Sequence, residues 1–278
     1  MQVIKGKNKN GYLSNDTIKF IFTDRLSVFD NVVGLVPRRG YILAECTRII
    51  FNFLSKNNIE TAMICSYDNW LVMEKCHPFY FEFILRNLLT GSALERAKQG
   101  SLQLPFNMEC KEYTQFSKPF IEVSTKREAK DRYDLTDDDI KSIILESLPY
   151  MKEKEAMKVF KEAINLTSKI SELLTMLFDK ADLVLVDGKI ELGLNNKNKL
   201  TLIDSFGPDE FRTFDKDWLF GDKSTPPVFY DKQFIRDKLK NARKSDYDRI
   251  IQENGEKLIS LYENVTQRLE QAVKDLMS

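Results

Sequence analysis

Along residues 185–193, LVDGKIELG, charged and apolar side chains alternate: Asp187, Lys189 and Glu191 take one set of positions, Val186, Ile190 and Leu192 the other. Successive side chains of an extended strand point to opposite faces, so this pattern predicts a strand with one charged and one apolar side. A second strand is predicted over 200–205, joined to 183–192 by the polar turn NNKN. The first third also reads as strands: VIKGKNKNGYLS, TIKFIFTD, TAMICSY and WLVMEKC are rich in β-branched and aromatic residues and punctuated by Asn, Gly and Asp. Between them ILAECTRIIFNFLSKNN repeats its apolar positions at three and four residues, which predicts a helix. FYFEFILRNLLTGSALERAKQG passes from an apolar strand through Thr-Gly-Ser into a short helix, and residues 126–139 form a charged loop. Asp137 to Asp139 suit a helix N-terminus, where acidic groups meet the positive end of the helix dipole. Helical periodicity runs from about Ile140 to Lys180 and again from Lys232 to the end, while STPPVFY, with consecutive prolines, is a loop. The fold class is therefore α+β. A β-rich lobe is expected over residues 1–80, and a larger lobe of sheet and long helices over 81–278.

Centring the hairpin on NNKN places Glu191 opposite Leu202, Ile190 opposite Ile203 and Lys189 opposite Asp204. Asp187, Lys189, Glu191 and Asp204 then share one face. By pattern that face is a solvated sheet surface carrying a cross-strand ion pair. The following residues, SFGPDEFR, offer another reading, because Gly207 and Pro208 end the strand and set Asp209 and Arg212 just beyond its tip. Two carboxylates beside a lysine and an arginine suit a magnesium–nucleotide site, in which Mg²⁺ takes one or two carboxylates and completes its shell with water and phosphate oxygens.

Composition narrows the choices. The 278 residues carry 42 Lys plus Arg and 42 Asp plus Glu, a balance that argues against nucleic-acid binding through a basic surface. No apolar run reaches the length of a membrane span, and the opening MQVIKGKNKNGY lacks the apolar core of a signal peptide. Cys46, Cys65, Cys76 and Cys110 form no CxxC pair, as expected of reduced thiols in a cytoplasmic protein. His77 is the single histidine, so any catalysis rests on carboxylates, Lys and Arg.

DGKIELG followed by DSFGPDEFR resembles the paired signature of the phosphoribosylaminoimidazole-succinocarboxamide (SAICAR) synthase family, a D-x-K-x-E-x-G strand and then Asp-Glu-x-x-Pro-Asp-x-x-Arg. Other segments match in the same order: GKNKNGY at 6–12, TDRLSVFD at 23–30, VPRRG at 36–40, RNLLTGS at 86–92, STKREAKDRYD at 124–134 and DKQFIR at 231–236. Each is weak alone, and together they span nearly the whole chain. The resemblance implies an enzyme of purine biosynthesis in which ATP activates the carboxylate of carboxyaminoimidazole ribonucleotide and the amine of aspartate attacks it. Small-molecule substrates, ATP and Mg²⁺, and a possible homo-oligomer come with it.

By that resemblance Glu191 and Asp204 hold Mg²⁺, Lys189 lies beside the phosphates, and Lys7 and Lys9 cover them. Without it, Lys7 and Lys9 read as an exposed basic hairpin, and GKNKNGY is no Walker motif. Backbone groups from Met73 to Lys75 are expected to bond the adenine, where apolar content alone makes Met73 core. Arg86, Ser92 and Arg212 resemble the residues that grip the ribonucleotide, with a salt bridge to Glu82 the plainer reading of Arg86. Asp24, Arg25, Ser27 and Asp30 are expected to border the substrates, Asp30 orienting the amine, and Lys126 to reach the cleft. Asp231, Lys232 and Arg236 either complete it or cap the final helix.

The sequence departs from the family pattern in several places. Ser205 replaces the Glu of the Asp-Glu pair and, in a continuing strand, points away from Asp204. Tyr133-Asp134 stands for His-Asp, Arg39 for Lys, and Gly188 for Phe. Two alternatives follow: a paralogue applying the same chemistry to another amine or nucleotide-like carboxylate, and a nucleotide-binding regulator without turnover.

Overall fold

The computed structural model describes residues 2–126 and 132–278, so Arg127 to Asp131 of the charged loop lie outside the described residues. Strands β1 (Gln2–Lys5), β2 (Lys9–Leu13) and β3 (Thr17–Phe22) form a meander. A separate hairpin, β4 (Arg25–Val28) with β5 (Asn31–Leu35), leads into helix α1 (Arg39–Lys56). Strands β6 (Met63–Tyr67) and β7 (Trp70–Glu74) return to the meander, giving an antiparallel sheet in the order β1-β2-β3-β7-β6 with α1 packed on it.

The second sheet begins with β8 (His77–Pro78) and β9 (Phe81–Leu89), then α2 (Gly91–Lys98) and β10 (Thr114–Thr125). Helices α3 (Asp137–Ser147) and α4 (Glu153–Lys180) lead into the strand foreseen around LVDGKIELG, β11 (Leu183–Leu194). β12 (Leu200–Ile203) and β13 (Phe211–Asp215) follow, then α5 (Lys216–Phe220), α6 (Gln233–Leu239) and α7 (Tyr247–Met277). Strand β11 is the spine. It pairs with β9 and then β8 along one edge, and with β13 and then β12 along the other. Helix α4 covers this sheet with Phe160, Ala163, Ile170, Leu174 and Leu177, a stripe of three- and four-residue spacing. Helix α7 packs on α1, α4 and α6, and the buried apolar cluster runs unbroken from Phe22 and Leu54 to Leu85, Tyr262 and Leu269.

Three expectations change. The helix expected over 140–180 is two helices, because Pro149 disfavours helical geometry at Leu148, which adopts φ −131° and ψ 71°. The helical tract from Lys232 is likewise split, between α6 and α7. The β11–β12 register differs by one residue: Glu191 faces Ile203, and Leu192 faces Leu202. The connecting loop is longer than NNKN, since the Asn195 side-chain oxygen accepts from the N–H groups of Lys197 at 3.0 Å and Lys199 at 2.9 Å. Lys199 is thereby drawn into the turn, and Asp204 falls past the end of β12.

No described helix is long and apolar enough to cross a membrane. A Cβ at Gly193 would lie 2.6 Å from the backbone oxygen of His77, where β8 crosses β11. Gly193→Ala is therefore expected to lose about 1–3 kcal/mol of stability by forcing the strands apart, measured by urea unfolding.

Candidate active site

The change of partners along β11 opens a gap at its edge, and residues 204–210 fill it. The Lys189 N–H donates to the Glu210 carbonyl at 2.9 Å, fastening this loop to the spine. A cavity of about 630 Å³ lies in front, walled by the charged face of β11. Of the residues expected at a site, Lys7, Lys9, Arg86, Ser92, Lys126, Lys189, Glu191, Asp204, Arg212 and Arg236 line it. The charged face is therefore the wall of an open cavity and not a flat sheet surface.

Two charge clusters organise that wall. Asp187 on β11 stands opposite Arg86 on β9 and Arg212 on β13, and binds both. Arg212 makes a two-point pair to it at 2.9 and 2.5 Å, and Arg86 Nη1 approaches at 3.1 Å. Glu122 on β10 receives the other side of Arg86 and both bonds from Arg96, which also lies over the Tyr133 ring at 3.9 Å. The foreseen partner of Arg86 was Glu82. That carboxylate instead takes the Lys189 ammonium at 2.6 Å, because Glu82 is the diagonal neighbour of Lys189 across β9 and β11. Beside Arg212, Gly91 adopts φ +56°, and a Cβ there would meet the guanidinium at 3.3 Å. Gly91 and Ser92, the first residues of α2, line the cavity beside Arg212, and Thr90 makes no side-chain cap to the N–H groups of that turn. Such groups favour an anion.

The second cluster holds the carboxyls of Glu191 and Asp204, close enough for the charge of Asp204 to act on Glu191. Burial first, and then the charge of Asp204, pushes Glu191 up to about 7. Burial alone would raise Asp204 as well, but the neighbouring Lys9 and Lys126 hold it below the usual carboxylate range. Lys126 pairs with Glu191, and Lys9 with Asp204. Two half-buried carboxyls that must share a proton or borrow ammonium groups form a donor set suited to a hard divalent cation. Among the described residues no three His, Cys, Asp or Glu side chains gather as a cage. The pair fits Mg²⁺ only if other oxygens, such as those of phosphates, complete the shell.

Ser205 does not point away. Asp204 has φ +67° and has left the strand, so alternation no longer applies, and Lys9 Nζ reaches both the Asp204 carboxylate and, at 2.6 Å, the Ser205 hydroxyl. The space that a side chain at Gly188 would occupy is filled by Phe206, whose ring lies 2.7 Å from the position of the missing Cβ.

Eight expected residues lie outside the cavity lining. Asp24 accepts from the Gly40 N–H at 2.9 Å, at the start of α1. Arg25 donates to the Gly6 carbonyl at 2.8 Å and the Lys7 carbonyl at 3.1 Å, and Ser27 to the Asn8 side chain at 2.8 Å. Arg25 and Ser27 thus brace the 6–9 loop from behind. Asp30, 95% exposed, pairs with Lys7 at 2.7 Å, so its contact is with that lysine and not with the cavity. Met73 is buried in the core, Lys75 is exposed, and the N–H groups of Glu74 and Lys75 already donate to Ala62 and Asp16. Adenine therefore cannot take either donor without displacing a backbone bond. Lys232 is buried against Asp209 at 2.9 Å, and Asp231 accepts from the N–H groups of Thr213 and Gln233, so Arg236 alone of the three reaches the cavity.

Sequence reasoning placed Asp209 near the strand tip without seeing its partners. Its Oδ2 receives Asn8 at 2.7 Å, Lys232 at 2.9 Å and the guanidinium of Arg39, while Oδ1 receives the Tyr262 hydroxyl at 2.9 Å. The nearest sequence signals were the motif position of Asp209 and the Arg39 departure, and nothing local marks Tyr262. Next to it, burial and the charge of Asp209 push Glu210 up to about 7.

A wall of paired carboxylates, lysines and arginines around a cavity of this size defines a protein that handles polyanionic small molecules. The chain belongs to the SAICAR synthetase family, whose model matches residues 2–254. It is 28% identical over 261 residues to the phosphoribosylaminoimidazole-succinocarboxamide synthase of Nitrosopumilus maritimus, covering 91% of this chain and 88% of that protein. It is 32% identical over 220 residues to the enzyme of that name from Campylobacter jejuni subsp. doylei, covering 76% and 84%. Among solved structures, a SAICAR synthetase in complex with ADP aligns with a TM-score of 0.71 at 21% identity, covering 96% of this chain and 97% of that one. The Saccharomyces cerevisiae SAICAR synthase complexed with SAICAR aligns at 0.70 with 23% identity, covering 96% and 95%. These two likenesses establish a shared fold.

Asp209 lies well below the usual carboxylate range because Arg39 and Lys232 outweigh its burial. A depressed acid stabilises the fold above its unfolded pKa of about 3.9 and loses that contribution as pH falls through the folded value. Asp209→Asn is expected to cost about 3–5 kcal/mol near pH 7 by leaving two buried cations unpaired. Urea titrations should show the gap to wild type narrowing below about pH 4.

Proposed function

We propose that this chain condenses carboxyaminoimidazole ribonucleotide with L-aspartate, using ATP and Mg²⁺, to form the succinocarboxamide and release ADP and phosphate. The observation that carries this reading is the cavity itself, where the family's lysines, carboxylates and arginines converge from β2, β9, β11, β13 and α6. The nucleotide falls to the side built mainly from residues 1–80 and the ribonucleotide to the side built from 81–278.

A carboxylate resists attack by an amine because its leaving group is poor, and phosphorylation supplies a better one. Positioning and charge neutralisation are then the protein's main tasks. Lys7 and Lys9 sit on the loop that closes the nucleotide side, and Lys9 already binds an oxyanion, Asp204, that a phosphate would replace. Glu191 and Asp204 would hold Mg²⁺, which when bound neutralises the phosphates between them. Lys126 and Lys189 face the same space with counter-charges that release as substrate oxygens arrive. Across the wall Arg86 and Arg212, pre-oriented by Asp187, offer forks to the ribonucleotide's oxyanions, and Arg236 and the start of α2 at Gly91 and Ser92 complete that end.

ADP release should require both carboxyaminoimidazole ribonucleotide and L-aspartate, and turnover with a different amine would sink this assignment. Glu191→Gln should lower Mg²⁺-dependent turnover by about 100-fold or more while the circular dichroism spectrum is retained. Near-normal activity in that variant would remove Glu191 from the site.

A further inference from the structure

The family match ends at residue 254, yet the buried centre of the site includes a group beyond it. Tyr262 lies on the inward face of α7, fully buried, and donates its hydroxyl to Asp209 Oδ1 at 2.9 Å. The distribution of bonds over the Asp209 carboxylate gives that contact its consequence. Asn8, Arg39 and Lys232 all converge on Oδ2, and among the described residues Tyr262 is the recorded side-chain donor to Oδ1. Turning about the Cβ–Cγ bond, a broad two-fold torsion, moves both oxygens together. The three donors at Oδ2 and the Tyr262 hydroxyl at Oδ1 therefore fix one carboxylate plane jointly, and without the hydroxyl the buried Oδ1 is left unpaired and can draw the group away from Asn8.

Asn8 is the donor that leads to the cavity. Its side-chain oxygen accepts from Ser27 at 2.8 Å, its carbonyl accepts from the Thr23 N–H at 2.8 Å, and it sits between Lys7 and Lys9. A shift of Asp209 is passed through Asn8 to a three-residue stretch whose two ends carry the ammonium groups over the nucleotide side. Burial and the Asp209 charge keep the Tyr262 phenol far above its ordinary value, so it remains a donor throughout the working pH range.

We propose that Tyr262 is a positioning residue for nucleotide binding, acting from α7 through Asp209 and Asn8 on the Lys7–Lys9 loop. This rests on the functional reading above. Removing the hydroxyl leaves the ring's packing intact and abolishes the contact at Oδ1, so its effect should fall on nucleotide affinity before it falls on the chemical step.

The test uses full-length Tyr262→Phe beside Thr266→Val. The second variant removes a buried hydroxyl one turn along the same helix, where Thr266 donates to the Tyr262 carbonyl at 2.7 Å and makes no recorded contact with Asp209 or Asn8 among the described residues. ADP affinity by calorimetry with Mg²⁺ and steady-state KM for ATP are measured well below both melting temperatures. Tyr262→Phe should weaken ADP binding and raise KM for ATP about three- to tenfold, the worth of one hydrogen bond, with kcat changed by less than about twofold. Thr266→Val should lose stability and leave both nucleotide values at the wild-type level. Unchanged ADP affinity in Tyr262→Phe, or an equal loss in Thr266→Val, would overturn the inference. If the wild-type chain itself binds no ADP, the functional reading fails, and the inference with it.

Discussion

The buried carboxylate of Asp209 is the constraint on which the rest of the site depends. Taking one carboxylate and two cations out of water costs several kcal/mol per ion, and such a cluster persists only when geometry and further hydrogen bonds satisfy every partner. Asp209 meets that demand with Arg39 from α1, Lys232 from the start of α6, Asn8 from the β1–β2 loop and Tyr262 from α7. These elements are far apart in the sequence, so the cluster can form only when both sheets and the C-terminal helices have assembled. The same bonds that close the fold therefore also hold the loop of Lys7 and Lys9 over the cavity.

In front of this hub, the cavity wall is balanced charge by charge. Asp187 holds two arginines, Glu122 two, Glu82 a lysine, and the Glu191–Asp204 pair two lysines. Among the described residues Lys7, Lys9, Lys126, Lys189, Arg86 and Arg212 each have an acidic partner. Substrates would enter by exchanging oxygens and not by filling an uncompensated positive hole, which suits a protein with no net charge. The like-charged pair Glu191 and Asp204 is the exception, and the repulsion of two neighbouring carboxyls is what a divalent cation would relieve.

Much of this was legible in the residues. Alternation in LVDGKIELG gave a strand with a charged face, and 3.6-residue periodicity gave the helices, because both patterns are local consequences of backbone geometry. The ten cavity residues foreseen include those whose motif spacing follows strand periodicity, namely Lys7 and Lys9, Lys189 and Glu191. The misplaced residues depend on distant contacts. Asp24, Arg25 and Ser27 carry site-like chemistry, yet Asp24 serves the start of α1, and Arg25 and Ser27 serve the loop in front of them. Met73 to Lys75 look free in the sequence, yet their N–H donors are used within the fold. The hairpin register failed by a single residue because the Asn195 side chain recruits two backbone N–H groups, which no hydrophobic pattern records.

By itself, the sequence determined the α+β class, the charged and apolar faces of β11, and the family to which its ordered motifs belong. All of these rest on local periodicity and short spacings. Tertiary structure decided which charges meet. It turned Asp204 out of β12 so that Ser205 joins the same lysine, filled the space at Gly188 with Phe206, and brought Tyr262 to Asp209 across 53 residues. Those outcomes depend on where separate elements pack, and a chain position carries no information on that until the core has closed around it.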